Sequence, residues 1–150
     1  MLEAVVEFAI AQLDMTLTRA AARGEVSFED YIKRMPAECM SMALDHKRSS
    51  MYRLLTNDGA RVPAISATFA SRIVTDVYAI YFQLFERAIK NGECKAMDFA
   101  VLRRLFITPV NTVMLQIAVS GEASLDLAET REFFDRYFEM LRLYLVPHPS

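Results

Sequence analysis

Few residues in this chain have the types and spacing that chemistry requires. Its two histidines are His46 and His148, and the second sits in a terminal "VPHPS" stretch. Neither belongs to an HExxH pair that could grip zinc, and no GxSxG elbow, Walker A loop or GxGxxG turn occurs. Glu129 and Glu132 fall three apart on a helical pattern, but a carboxylate-bridged metal site in a bundle needs Glu-x-x-His pairs, and none is present. These glutamates read as a solvated face, with Glu132 paired to Arg136 one turn on. Cys39 and Cys94 fit neither a zinc spacing nor a CxxC redox pair, and no histidine lies close in sequence to activate them. They read as reduced thiols of a cytoplasmic protein. The residue types therefore argue against catalysis, a metal and a cofactor. Arg72 and Asp76, one turn apart in an otherwise apolar stretch, read as an ion pair.

Without a reactive constellation, the information lies in the elements. The chain has 150 residues, enough for a single domain over 1–150, and a domain of this size buries roughly 68 to 70% of its unfolded surface. Hydrophobic residues make up 53% and charged residues 24%, and only four Gly and five Pro leave little room for disorder. The net charge of -2 supplies no global field of the kind that holds nucleic acid by its phosphates. Arg34, Lys47, Arg48, Arg53 and Arg61 are locally basic and read as a solvated face. The opening residues lack a signal peptide's positive leader and small-residue cleavage site. Two apolar stretches invite a membrane reading, but "IVTDVYAIYFQLFERAI" carries Asp76 and "LFITPVNTVMLQIAVSG" carries Pro109, Asn111 and Gln116. Both read as buried helices, and no membrane partner is expected.

The periodicity is helical throughout, so the fold class is all-α. Leu2, Val6, Ala9, Leu13 and Leu17 share one face, so a helix runs from the first residue with no capping side chain before it, and Gly24 stops it. "SFED" opens a second helix with Ser27 as cap, running to about Leu44 with Pro36 expected to bend or divide it. "DHKRSSMYRLLTNDG" predicts a short helix ending at Gly59. The longest helix is predicted from about Pro63 to Lys90, ended by Gly92. Its Val77–Phe85 stretch is apolar nearly all round, which predicts a central helix that the others surround, about six in all.

The last two helices say most about assembly. Between about Asp98 and Ser120 the apolar residues form two stripes. One is Phe99, Leu102, Phe106, Val110, Val113 and Ile117; the other is Val101, Leu105, Thr108, Thr112, Leu115 and Val119. A helix with two apolar sides has two neighbours. In the final helix, about Asp126 to Leu145, Phe133, Phe134, Tyr137, Phe138, Met140, Leu141, Tyr144 and Leu145 cover an arc wider than the ~100° of a one-sided surface helix. Either one large core takes all of this surface or, as expected with so few other helices to cover it, the two helices pair with their copies in a homodimeric four-helix bundle, through Leu105, Thr108, Thr112, Leu115 and Val119 together with Phe134, Phe138, Leu141 and Leu145. Pro109 cannot donate to the carbonyl of Leu105, so a kink is expected there.

The order of these features resembles the C-terminal body of TetR-family transcriptional regulators. "LFERAIKNGECKAMD" is similar to the family's R-A-I-x-x-G-E ending of a long helix, matched by Arg87, Ala88, Ile89, Gly92 and Glu93, with Asp98 opening the next helix. The Pro109 segment looks like the proline-containing penultimate helix of many members, "GEASLD" like their connection into the last helix, and "MLEAVVEFAI" like their first helix after the DNA-binding headpiece. The resemblance implies that the headpiece precedes Met1, that operator DNA is bound by the full-length protein only, and that no segment of this chain is a recognition helix. It also implies a pocket for a small, mainly apolar effector. By that analogy its lining is Met42, Met51, Tyr52, Phe69, Ile73, Tyr78, Tyr81, Phe82, Leu102 and Phe106, since Met and aromatic side chains make adaptable apolar walls. The alternative is a helical scaffold or interaction module with no DNA-binding partner domain.

Overall fold

The computed structural model describes residues 2–11, 13–46, 48–50 and 63–148, and every regular element among them is helical. The expected first helix is two. Helix α1 (Leu2–Ala11) stops, and α2 (Thr16–Ala22) starts afresh after Asp14, whose Oδ1 accepts the Thr16 N–H at 3.0 Å. A side-chain acceptor at that point competes with helix continuation, which the apolar spacing could not reveal. The side chains of Leu2, Val6 and Ala9 lie outside the described residues.

Gly24 ends α2 as predicted. Its φ of +83° allows the Gly24 N–H to reach Ala21 O at 3.1 Å and the Glu25 N–H to reach Ala20 O at 3.0 Å, the two bonds of a Schellman turn. Helix α3 (Phe28–Leu44) is capped by Ser27, whose Oγ accepts from Asp30 N at 3.1 Å. Pro36 does not divide it. The proline removes one rung, but Ile32, Met35, Cys39 and Met40 around it are buried, and packing keeps the helix in one piece. The predicted short helix lies mostly outside the described residues, as do Lys47, Arg53, Gly59 and Arg61; residues 48–50 are helical.

The long predicted helix is present with an interruption: α4 (Pro63–Arg72) passes through a π-helical turn (Ile73–Val77) into α5 (Tyr78–Lys90). Helix α6 (Phe99–Ser120) follows with Asp98 as its cap, then a 3-10 turn (Glu122–Ser124) and α7 (Leu127–Leu145), capped by Asp126. The interior is shared between α3 and the long helix. Helix α3 packs against α2, α6 and α7, while α5 packs against α2 and α6 and α1 rests on α4. The outer side of α5 is left uncovered, with Phe82 50% exposed. Side-chain identity alone made that stretch look enclosed.

Phe106 of α6 joins the layers. Its ring lies 6.0 Å from Phe28, 5.8 Å from Tyr31, 5.2 Å from Phe85 and 6.2 Å from Phe138, centroid to centroid, so one side chain touches α3, α5 and α7. Helix α6 runs without a break through Pro109. The Leu105 carbonyl, which lacks its usual donor because residue 109 is proline, accepts the hydroxyl of Tyr137 from α7. The last two helices are thus stitched at the point where the proline frees an acceptor. Tyr137→Phe is expected to lower stability by about 1 kcal/mol in urea denaturation. In a Pro109→Ala background, where residue 109 regains its N–H, the same change should cost less; equal costs would show that the two groups are not coupled.

Candidate functional site: an α5–α6 cleft and two uncovered helix faces

The groups with chemical potential are held in structural roles. Cys39 and Cys94 are buried free thiols, and burial pushes them up to about 12 and about 11. Thiols protonated at neutral pH are poor nucleophiles. Arg72 Nε donates to Asp76 Oδ2 at 2.7 Å, and a second guanidinium nitrogen donates to Glu7 on α1. The pair read from the sequence is therefore present and extends to a neighbouring helix. Arg136 Nε meets Glu132 Oε1 at 2.9 Å on the exposed face of α7. His46 Nδ1 lies 2.8 Å from Glu122 Oε1, tying the turn after α3 to the α6–α7 connection. Among the described residues no group of three or more His, Cys, Asp or Glu side chains is placed to hold a metal.

The Arg-Ala-Ile-x-x-Gly-Glu segment acts as a clasp. Gly92, at φ +74°, closes a second Schellman turn at the end of α5, with the Glu93 N–H on Ala88 O at 2.8 Å. That turn carries Glu93 back toward α3, where its Oε1 accepts the Phe28 N–H at 3.0 Å and its Oε2 meets Arg87 Nη1 at 3.3 Å. Arg87 reaches the other way, donating through Nε and Nη2 to Ala21 O at 3.2 and 2.9 Å. One guanidinium thus covers the C-terminal end of α2 and one carboxylate the N-terminal end of α3. Gly24 has to be small here as well as left-handed, because a Cβ would lie 3.3 Å from Arg87 Nη1.

Tyr81, Leu102 and Phe106 are core residues. Burial pushes the Tyr81 phenol up to about 12, and it sits beside a Thr18–Tyr31 hydroxyl pair 3.0 Å apart. Met42, Phe69, Ile73 and Tyr78 are half-buried, and Tyr78 lies 4.1 Å beneath the guanidinium of Arg103. Met51 and Tyr52 lie outside the described residues. Among the described residues, a cleft of ≈ 440 Å³ lies between α5 and the start of α6, lined by Phe82, Phe85, Glu86, Ile89, Lys90, Met97, Phe99 and Leu102. Of the residues named as effector lining, Phe82 and Leu102 border this cleft, and its other six lining residues were not among them. A signal for them existed: positions 82, 85, 86, 89 and 90 make one face at helical spacing.

The two stripes of α6 separate cleanly. Leu102, Phe106, Val113 and Ile117 are buried in the core, whereas Val101, Thr108, Thr112, Leu115 and Val119 are exposed and Leu105 half-buried. On α7 the assignment of the interface is corrected. Phe134, Phe138, Leu141 and Leu145 are buried in this chain's own core, so they are unavailable to a partner. The large apolar side chains that α7 leaves uncovered are Leu127 at its start and Phe133, Met140, Leu143 and Tyr144 further along. The wide apolar arc seen in the sequence was correct, but the residues at its centre went inward because α3 packs along them.

Comparison of the chain with family models, curated proteins and solved structures finds no match. No helix among the described residues is long and apolar enough to cross a membrane.

Proposed function

We propose that this chain is the effector-sensing and homodimerising body of a TetR-like, repressor-type cytoplasmic regulator, whose operator contacts belong to the full-length protein. The observation that carries the reading is the pair of uncovered apolar faces on α6 and α7, with Val119 77% and Met140 69% exposed. The Tyr137–Leu105 bond and the Phe106–Phe138 ring contact join these two helices at one level. Monomeric proteins rarely expose apolar patches beyond a few hundred Å². Two adjacent helices with outward apolar stripes are what a two-fold four-helix bundle requires, since each stripe then packs against its copy. The order of capped helices and the Arg87–Glu93 clasp, at the segment that resembles the family, support the same reading.

Native mass spectrometry is expected to show a dimer at micromolar concentration, and a monomer there would overturn the proposal. Leu115→Glu combined with Met140→Glu is expected to weaken the dimer on the order of a hundredfold, about 2.7 kcal/mol. Both side chains are exposed in the single chain, so circular dichroism should be unchanged.

The open form of the cleft favours a second reading, a helical interaction module with no DNA-binding partner domain. An in-frame helix-turn-helix segment upstream in the coding DNA supports the regulator; an unrelated upstream sequence supports the module.

A further inference from the structure

The outward side of α6 is free of charge over most of its length. From Leu105 to Gly121 the chain holds no Asp, Glu, Lys or Arg, although Thr108, Asn111, Thr112, Leu115, Gln116 and Val119 are exposed there. A helix side that faces water ordinarily carries charges, as α7 does with Glu129, Glu132, Arg136 and Glu139. On α6 the charges stand at the two ends of the bare stretch and are opposite in sign. Arg104 is exposed one turn before Thr108 on the same side, and Glu122 is exposed just past the helix, in the 3-10 turn that follows Gly121. Arg103, the neighbouring cation, is taken up within the chain, stacked at 4.1 Å on Tyr78. Midway along the stripe lies Thr112, beside Thr108 and flanked by the larger Leu105, Leu115 and Val119. The Thr112 hydroxyl donates to the Thr108 carbonyl at 3.0 Å, so this residue can enter a dry interface without an unsatisfied donor. Side chains of this size at a crossing point let two helix axes come as near as about 8 Å.

We infer that α6 crosses the α6 of a second copy antiparallel, with Thr112 meeting its own copy on the two-fold axis and Arg104 of each chain beside Glu122 of the other. The inference rests on the dimer reading above and gives that dimer its orientation. At a rise of about 1.5 Å per residue, Arg104 lies about 12 Å from Thr112 along the axis, and Ser120 lies about 12 Å the other way. An antiparallel crossing therefore brings each guanidinium level with the carbonyl end of the opposite helix and the carboxylate just beyond it, and both favour a cation. A parallel crossing would set Arg104 against Arg104 and Glu122 against Glu122, so that like charges meet at both ends.

Cysteine cross-linking of the whole chain tests the orientation. With axes about 8–10 Å apart and Cα atoms about 2.3 Å from each axis, facing Cα atoms lie about 3.5–5.5 Å apart, close enough for a disulfide. Thr112→Cys is expected to give a disulfide-linked dimer under copper–phenanthroline oxidation, while Val101→Cys, near the start of the helix, should run as a monomer on the same non-reducing gel. Cys39 and Cys94 are buried and do not compete. Cross-linking at both positions, as a parallel pair requires, at position 101 alone, or at neither overturns the inference.

Charge reversal is the second readout. Arg104→Glu and Glu122→Arg should each weaken the dimer about tenfold, since every reversal acts twice in a symmetric pair, and the double variant should return to within about twofold of the original. Glu122→Arg also gives up the His46 contact at 2.8 Å, a loss that Arg104→Glu cannot repair, so recovery in the double variant reads the interface alone. A double variant no tighter than the single ones overturns the inference. A dimer with the wrong cross-link removes this inference only, whereas a monomer in native mass spectrometry removes the dimer reading beneath it.

Discussion

Phe106→Ala is expected to cost about 3–5 kcal/mol and to lower the melting temperature by roughly 10 °C or more. The reason is position. Phe106 is 1% exposed, and its ring is the one that touches Phe28 and Tyr31 of α3, Phe85 of α5 and Phe138 of α7. Truncation leaves a cavity shared by three other helices, and a cavity with walls on several elements collapses poorly. Because a domain of this kind has about 5–15 kcal/mol in hand, the variant sits near the edge of folding. Urea denaturation reads the loss directly. Phe106→Leu, which keeps most of the volume, should recover more than half of it. If Phe106→Ala costs under about 1.5 kcal/mol, the site is an adaptable pocket wall and not the centre of the core.

The second large effect is expected at the clasp. Arg87→Ala removes two hydrogen bonds to Ala21 O and one to Glu93, and it leaves the carboxylate that holds Phe28 N without its cation. Hydrogen bonds to charged groups contribute about 1.5–3 kcal/mol each, but these share one side chain and one acceptor. A total near 2–3 kcal/mol follows, read as a lower urea midpoint at unchanged slope. Glu93→Gln keeps an acceptor for Phe28 and loses the charge, so it should cost about 1 kcal/mol. The double variant should cost less than the sum, because both changes break the same network. Strict additivity would mean that the two ends of the clasp act independently, and the segment would then be two separate caps.

Helix ends were the best-read part of the chain. Ser27, Gly24 and Gly92 cap or stop helices where their types predicted, and Asp98 and Asp126, where helices were expected to begin, cap them, because capping is settled within a few residues of backbone. The first helix was read as one because apolar spacing carries across residues 13–15, whereas the Asp14 side chain, bonded to Thr16 N, starts a second helix there. Of the two effects expected at Pro36, division of the helix does not occur, since its flanking residues are buried and hold the helix through the missing rung. The π-helical turn at Ile73–Val77 has no sequence signal that distinguishes it from ordinary helix. Of the expected effector lining, Phe82 and Leu102 fall in the cleft, while Tyr81 and Phe106 went to the core. Met and aromatic residues satisfy a core and a pocket equally well, so residue type could not separate the two.

By itself, the amino-acid sequence determined that the chain is helical, where most helices begin and end, that α6 has two apolar sides, and that Arg72 pairs with Asp76. Each of these depends on spacing along one helix or on neighbours within a turn. Only the tertiary structure decided that α3 packs along α7, that Phe134, Phe138, Leu141 and Leu145 face inward, and that Arg87 and Glu93 reach across to α2 and α3. It also decided that the Leu105 carbonyl freed by Pro109 is taken up by Tyr137. Periodicity specifies the angle of a side chain about its own axis. Which neighbour lies at that angle depends on how whole helices share one core, and that competition is decided among residues far apart in the chain.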